Sequence, residues 1–81
     1  MSLFERIQKA FASVIGPTEA ASMTPDATME DVRSWDSSNF IALVLAIEDE
    51  FDIQMSTLDA ASLTSVPSLM RYLTEKAEVD T

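Results

Sequence analysis

The sequence predicts an all-α protein: a small four-helix bundle with three main helices, one short one and a long loop between the first two. Apolar residues recur at helical spacing in three separate stretches, and no stretch alternates apolar and polar residues as a half-buried strand would. The chain's single Gly and three Pro act as punctuation between or at the borders of those stretches.

The first helix is expected over about residues 3–15. Ser2 and Glu5 have the spacing of a capping box, in which hydroxyl and carboxylate each accept from the other residue's amide. Leu3, Phe4, Ile7, Phe11, Val14 and Ile15 then repeat at helical spacing. Gly16 followed by Pro17 reads as a stop, because Gly can take a left-handed cap and Pro cannot continue the helix. Residues 17–34 show no sustained period and are expected to form a loop, pinned to the core by Met23, Met29 and Val32.

The second main helix is expected from near Ser37 to Glu50 or Phe51. At about 100° per residue, Phe40, Leu43, Val44, Ile47 and Phe51 share one face, which is the core stripe. Ile41 and Leu45 lie on its flank, on the same side as Ser37 and Glu48, while Ala42 and Asp49 point away. Either this apolar flank is partly exposed, or a neighbouring helix or the long loop covers it. Ser56 with Asp59 marks a short helix at about 57–61. Ser65 caps a last helix at about 66–76, whose apolar face is Val66, Leu69, Met70 and Leu73, with Pro67 tolerated in the first turn. Residues 77–81 are expected to fray.

At 81 residues the chain is read as one domain, 1–81. It is long enough to bury roughly 60–65% of its unfolded surface. The absence of Cys and His removes disulfides, thiolate metal sites, a catalytic thiol and the usual imidazole base. A net charge of −9 makes nucleic acid and anionic membranes poor partners and basic protein surfaces good ones. Glu5, Arg6 and Lys9 interrupt any signal-peptide apolar region, and no apolar run approaches the ~20 residues of a membrane span, so a cytoplasmic protein is expected.

Glu48, Asp49, Glu50 and Asp52 cluster, but a calcium loop needs a Gly at its sixth position and no Gly lies beyond residue 16. These acids read as a solvated face or one side of a docking surface. The stretch "SWDSSNF", 34–40, offers two readings. Asp36 or Ser37 can be an N-cap. A serine at a helix N-terminus is also suited to anchor a phosphate group, because the free amides and the positive end of the dipole face it.

"WDSSNFIALVLAIEDEFDIQM", 35–55, resembles the acyl carrier protein pattern, in which D-S-L opens the second helix and an apolar and acidic helix follows. Asp36-Ser37 matches the D-S that receives 4′-phosphopantetheine. Leu43, Ile47 and Phe51 match the helix core, and "EDEF", 48–51, its acidic end. "LDAASLTSVPSLMRYL", 58–73, is similar to the family's short helix and its entry to the last helix. The resemblance implies a stand-alone, monomeric carrier that does not itself catalyse a reaction. A phosphopantetheinyl transferase would load Ser37, and the arm's thiol would then hold acyl or aminoacyl groups as thioesters.

Ser38, Ile41, Leu45, Glu48 and Asp49 are the positions this resemblance gives to loading and transfer enzymes with basic patches. The sequence departs from the pattern at Ser38, Asp52 and Ala42. Ser38 stands where Leu is usual, which implies a different partner choice. Asp52 replaces a frequent Gly and would adopt the left-handed cap. Ala42 replaces a common acid, and Trp35 precedes the Asp, as a lid on the core. The rival reading is an unmodified acidic helical adaptor that binds a partner through the same helix, with Ser37 only a cap.

Overall fold

The computed structural model describes residues 2–76 and contains five helices: α1 Leu3–Ile15, α2 Pro17–Ala21, α3 Phe40–Phe51, α4 Thr57–Ala61 and α5 Val66–Lys76. The all-α expectation holds. The tail expected at 77–81 lies outside the described residues.

The Ser2 capping box is present in both directions. The Glu5 amide donates to Ser2 Oγ at 3.1 Å and the Ser2 amide donates to Glu5 Oε1 at 3.0 Å. That bond from the Ser2 amide, followed by contact with the Ser2 hydroxyl, holds the Glu5 carboxyl below its ordinary range. Leu3, Ile7, Ala10 and Phe11 are buried; Phe4, Val14 and Ile15 are half-buried against them.

The first departure from expectation is at Gly16-Pro17. Gly16 ends α1 with positive φ (93°), but its ψ of 152° is not that of a left-handed helical cap. The chain turns there and Pro17 starts α2, because a helix's first position needs no N–H donor. The long loop therefore opens with a five-residue helix. Ala20 is buried, and Gln8 Nε2 donates to the Ala20 carbonyl at 3.0 Å, tying α2 back onto α1.

The rest of the connection is a series of tight turns closed by amide-to-carbonyl bonds three residues apart, at Ala27–Thr24, Asp31–Thr28, Trp35–Val32 and Asn39–Asp36. As expected, Met23 and Val32 are buried and Met29 is half-buried. An isolated antiparallel bridge between Thr28 and Ser65 also holds this segment, with the Met29 amide donating to the Thr64 carbonyl (2.9 Å) and the Val66 amide to the Ala27 carbonyl (2.8 Å). Trp35 is buried edge-on to Phe11, with ring centroids 5.0 Å apart, and so closes the core as a lid.

Leu43, Ile47 and Phe51 of α3 are buried, while Phe40 and Val44 of the same stripe are half-buried. Asp52 takes the left-handed conformation (φ 54°, ψ 50°), as the sequence led one to expect, and is the one non-Gly residue with positive φ among the described residues. Arg6 joins α1 to the far end of α3. Its Nε lies 3.1 Å from Glu50 Oε2, its Nη2 donates to the Glu50 carbonyl, and its guanidinium stacks 4.3 Å from the Phe51 ring centre. The expected caps of the last two helices are present. Ser56 Oγ accepts from the Asp59 amide at 3.0 Å, and Ser65 Oγ accepts from the Ser68 amide at 3.2 Å.

Candidate functional site

The segment that carries Ser37 is a single turn between two anchors. On one side Trp35 is held in the core; on the other Phe40 begins α3. Helix α3 thus starts at Phe40 and not at Ser37, and Ser37 sits on the turn that leads into it. The reason lies in Asp36. The Asn39 amide donates both to Asp36 Oδ1 (3.1 Å) and to the Asp36 carbonyl (3.2 Å). That shared bond closes a tight turn, and regular helical bonding begins one step later, with the Leu43 amide donating to the Asn39 carbonyl at 2.9 Å.

Of the two candidates, therefore, Asp36 caps the turn that leads into α3 and Ser37 does not, while Asn39, the residue at the N-cap of α3 itself, makes no side-chain cap bond. Ser37 is exposed, and among the described residues its hydroxyl makes no hydrogen bond. Ser38 is exposed as well. The amides of Phe40, Ile41 and Ala42 have no backbone acceptor among the described residues. These are the orphan donors of a helix N-terminus, which favour a phosphate nearby. An accessible hydroxyl at a helix end with unpaired amides fits a serine-linked phosphodiester, and the neighbouring Asp36 carboxylate is engaged by the Asn39 amide.

One turn along α3, Ile41 is 63% exposed and Leu45 58%, against 3% for Leu43 on the core stripe. Of the two readings left open for this flank, exposure is the one observed. Sequence reasoning missed Leu58 on α4, which is 84% exposed. A surface groove of about 160 Å³ runs between α3 and α4, lined in part by Ile41, Val44, Leu45, Met55 and Thr57. Phe40, Val44, Met55 and Ala60 also line a small apolar cleft of about 20 Å³ against Trp35 and Phe11. That cleft has room for little more than one water.

The acidic cluster is not uniform. Glu48 is half-buried, and its Oε2 accepts from the Met55 amide at 2.6 Å, which fixes the α3–α4 connection. Glu50 faces α1, paired with Arg6 and, at 3.6 Å, with Lys9. Asp52 is the left-handed cap, and Asp49 is exposed. Leu45, Glu48, Asp49 and Asp52 border a broad acidic depression that Lys76 closes on one side.

A further missed element lies behind the turn. Glu19 of α2 accepts from the Ser34 amide (2.8 Å) and from the Ser34 hydroxyl (3.1 Å). Asn39 Nδ2 donates to the Ser34 carbonyl at 2.9 Å. The visible signals were Pro at the first position of α2 with an acid in its first turn, and Asp36 three residues before Asn39.

The fold and this turn define a class: a small helical protein that presents exposed serines, Ser37 and Ser38, at the mouth of a helix, beside a partly apolar, partly acidic face. The family model for the phosphopantetheine attachment site matches residues 5–73. The chain belongs to that family and is a phosphopantetheine-carrying carrier protein, its cofactor being covalently attached 4′-phosphopantetheine.

Proposed function

We propose that Ser37 carries the arm and that the protein shuttles acyl groups between partner enzymes. The observation that carries this reading is the division of roles in the turn. Asp36 supplies the cap, which leaves the Ser37 hydroxyl exposed and unbonded among the described residues. Ser38 shares that exposure. Ser37 is preferred because the family's modified serine directly follows an Asp. In the loading step Ser37 Oγ would form a bond to the phosphorus that bears pantetheine in coenzyme A. The phosphoanhydride bond would break, adenosine bisphosphate would leave, and the hydroxyl proton would pass to the transferase. When bound, the group supplies a flexible arm ending in a thiol that holds cargo as a thioester.

An acyl cargo is preferred to an aminoacyl one because the groove that begins one turn beyond Ser37 is lined largely by apolar side chains. The enzymes that load and unload the arm would dock over Ile41 and Leu45, with Asp49 as the free acid and Ser38 as a polar contact. Leu58 on α4 is a further exposed apolar side chain, outside the groove. Glu48 would act mainly through its field, since one oxygen is already engaged. The net charge of −9 favours basic partners and, by self-repulsion, a monomer.

The test is mass spectrometry after incubation with coenzyme A and a broad-specificity phosphopantetheinyl transferase. One phosphopantetheine mass on the Ser37 peptide, absent from Ser37→Ala, is the expected result. Mass on Ser38, or no mass with several transferases, would overturn the assignment and favour the unmodified adaptor.

A further inference from the structure

The turn that bears Ser37 is closed into a ring through Ser34. The Ser34 carbonyl accepts from Asn39 Nδ2, and the Asn39 amide donates back to Asp36, so residues 34–39 are tied at both ends with Ser37 at the crest. The ring needs a fixed base, and Trp35 supplies one by burial. The other is Glu19, whose two carboxylate oxygens accept from the Ser34 amide and hydroxyl at 2.8 and 3.1 Å. Glu19 is itself fixed, because the next residue, Ala20, is buried and its carbonyl is held by Gln8 of α1. A path of direct contacts therefore runs from α1 through α2 and Glu19 to the crest of the turn.

We propose that Glu19 is a positioning residue for the modification of Ser37: through its paired hydrogen bonds to Ser34 it holds the 34–39 turn in the shape that the modifying enzyme binds. The inference rests on Ser37 being the attachment residue. A turn that is already ordered incurs no ordering entropy when it docks, so losing the tether weakens recognition more than it alters the bond-forming step. The charge-assisted pair is the strongest polar contact available for the task, because one carboxylate accepts from both donors of a single residue.

Steady-state kinetics of phosphopantetheinyl transfer, with coenzyme A saturating and the unmodified carrier varied, read this directly. Glu19→Ala should raise the carrier's KM by about five- to tenfold, the scale of one ordinary hydrogen bond lost, and leave kcat within about twofold. Glu19→Gln should restore a KM near that of the wild type. Its carbonyl oxygen can accept from the Ser34 amide, and its NH2 can donate to the Ser34 hydroxyl. Asn39→Ala, which opens the same ring, should raise KM in the same way. Arg6→Ala serves as the control for general loosening. It breaks the tie to Glu50, ten residues and about 15 Å along α3 from Phe40, and should lower the melting temperature without changing KM.

An unchanged KM in Glu19→Ala overturns the inference and leaves the attachment reading standing. So does an equal rise in Arg6→Ala, or a failure of Glu19→Gln to restore binding. A wild-type carrier that gains no mass at Ser37 overturns both.

Discussion

Replacing Asp36 and Ser37 one at a time separates two roles that the sequence alone leaves merged. Asp36→Ala removes the carboxylate that accepts from the Asn39 amide at 3.1 Å and leaves the longer bond to the Asp36 carbonyl. Loss of such a cap costs about 0.5–2 kcal/mol. An exposed acid near the positive end of a helix adds about 0.3–1 kcal/mol of favourable dipole interaction at low salt, part of which the cap figure already contains. The expected loss is thus about 1 kcal/mol. For a domain of this size that lowers the melting temperature by roughly 4–8 °C.

Ser37→Ala deletes an exposed hydroxyl with no hydrogen bond among the described residues, and should stay within about 0.5 kcal/mol of the wild type. Thermal melts followed by far-ultraviolet circular dichroism measure both variants. Urea titration, with the fluorescence of the single Trp as signal, checks the same ordering at one temperature. Mass spectrometry after incubation with coenzyme A and a transferase adds the functional half: Ser37→Ala gains nothing. A Ser37→Ala variant destabilised as much as Asp36→Ala would show that the hydroxyl is a cap after all, and would remove the structural argument for its availability.

Three further outcomes are expected. Leu43→Ala should cost about 2–5 kcal/mol as a buried truncation, and Leu45→Ala less than about 0.5 kcal/mol, while only the latter impairs acyl transfer in a folded protein; equal melting losses would make Leu45 part of the core. Asp49→Lys should slow association with basic partner enzymes and flatten its salt dependence, measured by stopped flow. Glu48→Lys is a poorer test because it also breaks the bond to the Met55 amide and should lower the melting temperature as well. The single Tyr, Tyr72, has its phenol pushed above the ordinary value, first by burial and then by the hydrogen bond it donates to Asp59. A raised folded pKa gives a contribution to stability that is complete below the unfolded value and lost as pH rises through the folded one. Asp59→Asn should therefore shift the tyrosinate absorbance transition to lower pH, and an unshifted transition would remove Asp59 as a cause.

The parts of this protein that were legible in the sequence are those set by short-range rules. The Ser2–Glu5 box, the Ser56 cap and the stripe through Leu43, Ile47 and Phe51 follow from spacings of three and four residues, which also set Ile41 and Leu45 on a flank without saying whether it is covered. Helix α2 was missed because five residues are too few to show a period, and it is held by tertiary contacts. Glu19–Ser34, Glu48–Met55 and Arg6–Glu50 were missed for a related reason. Each joins residues 7 to 44 apart in sequence, and nothing in a carboxylate's neighbours says which distant donor it will meet. The result matters most for "EDEFD", 48–52. Its four acids suggest a uniform charged face, yet Glu48 and Glu50 are already partnered and Asp52 is spent on a turn.

The separation of cap from acceptor at Asp36-Ser37 has a physical rationale. A serine that capped α3 would have its oxygen tied to a backbone amide, and esterifying it would set the new phosphate against the helix's own first bond. With the cap on Asp36, the oxygen of Ser37 can change from hydroxyl to phosphodiester while the bond from the Asn39 amide stays in place. A phosphate on Ser37 would bring its negative charge to the end of α3 where the amides of Phe40, Ile41 and Ala42 are unpaired and the helix dipole favours it. Trp35 on one side and the Glu19–Ser34 pair on the other would keep the turn from being drawn out by an arm on Ser37. A carrier has to be the same folded object before and after modification, and this arrangement lets the serine's chemistry change while the helix beneath it does not.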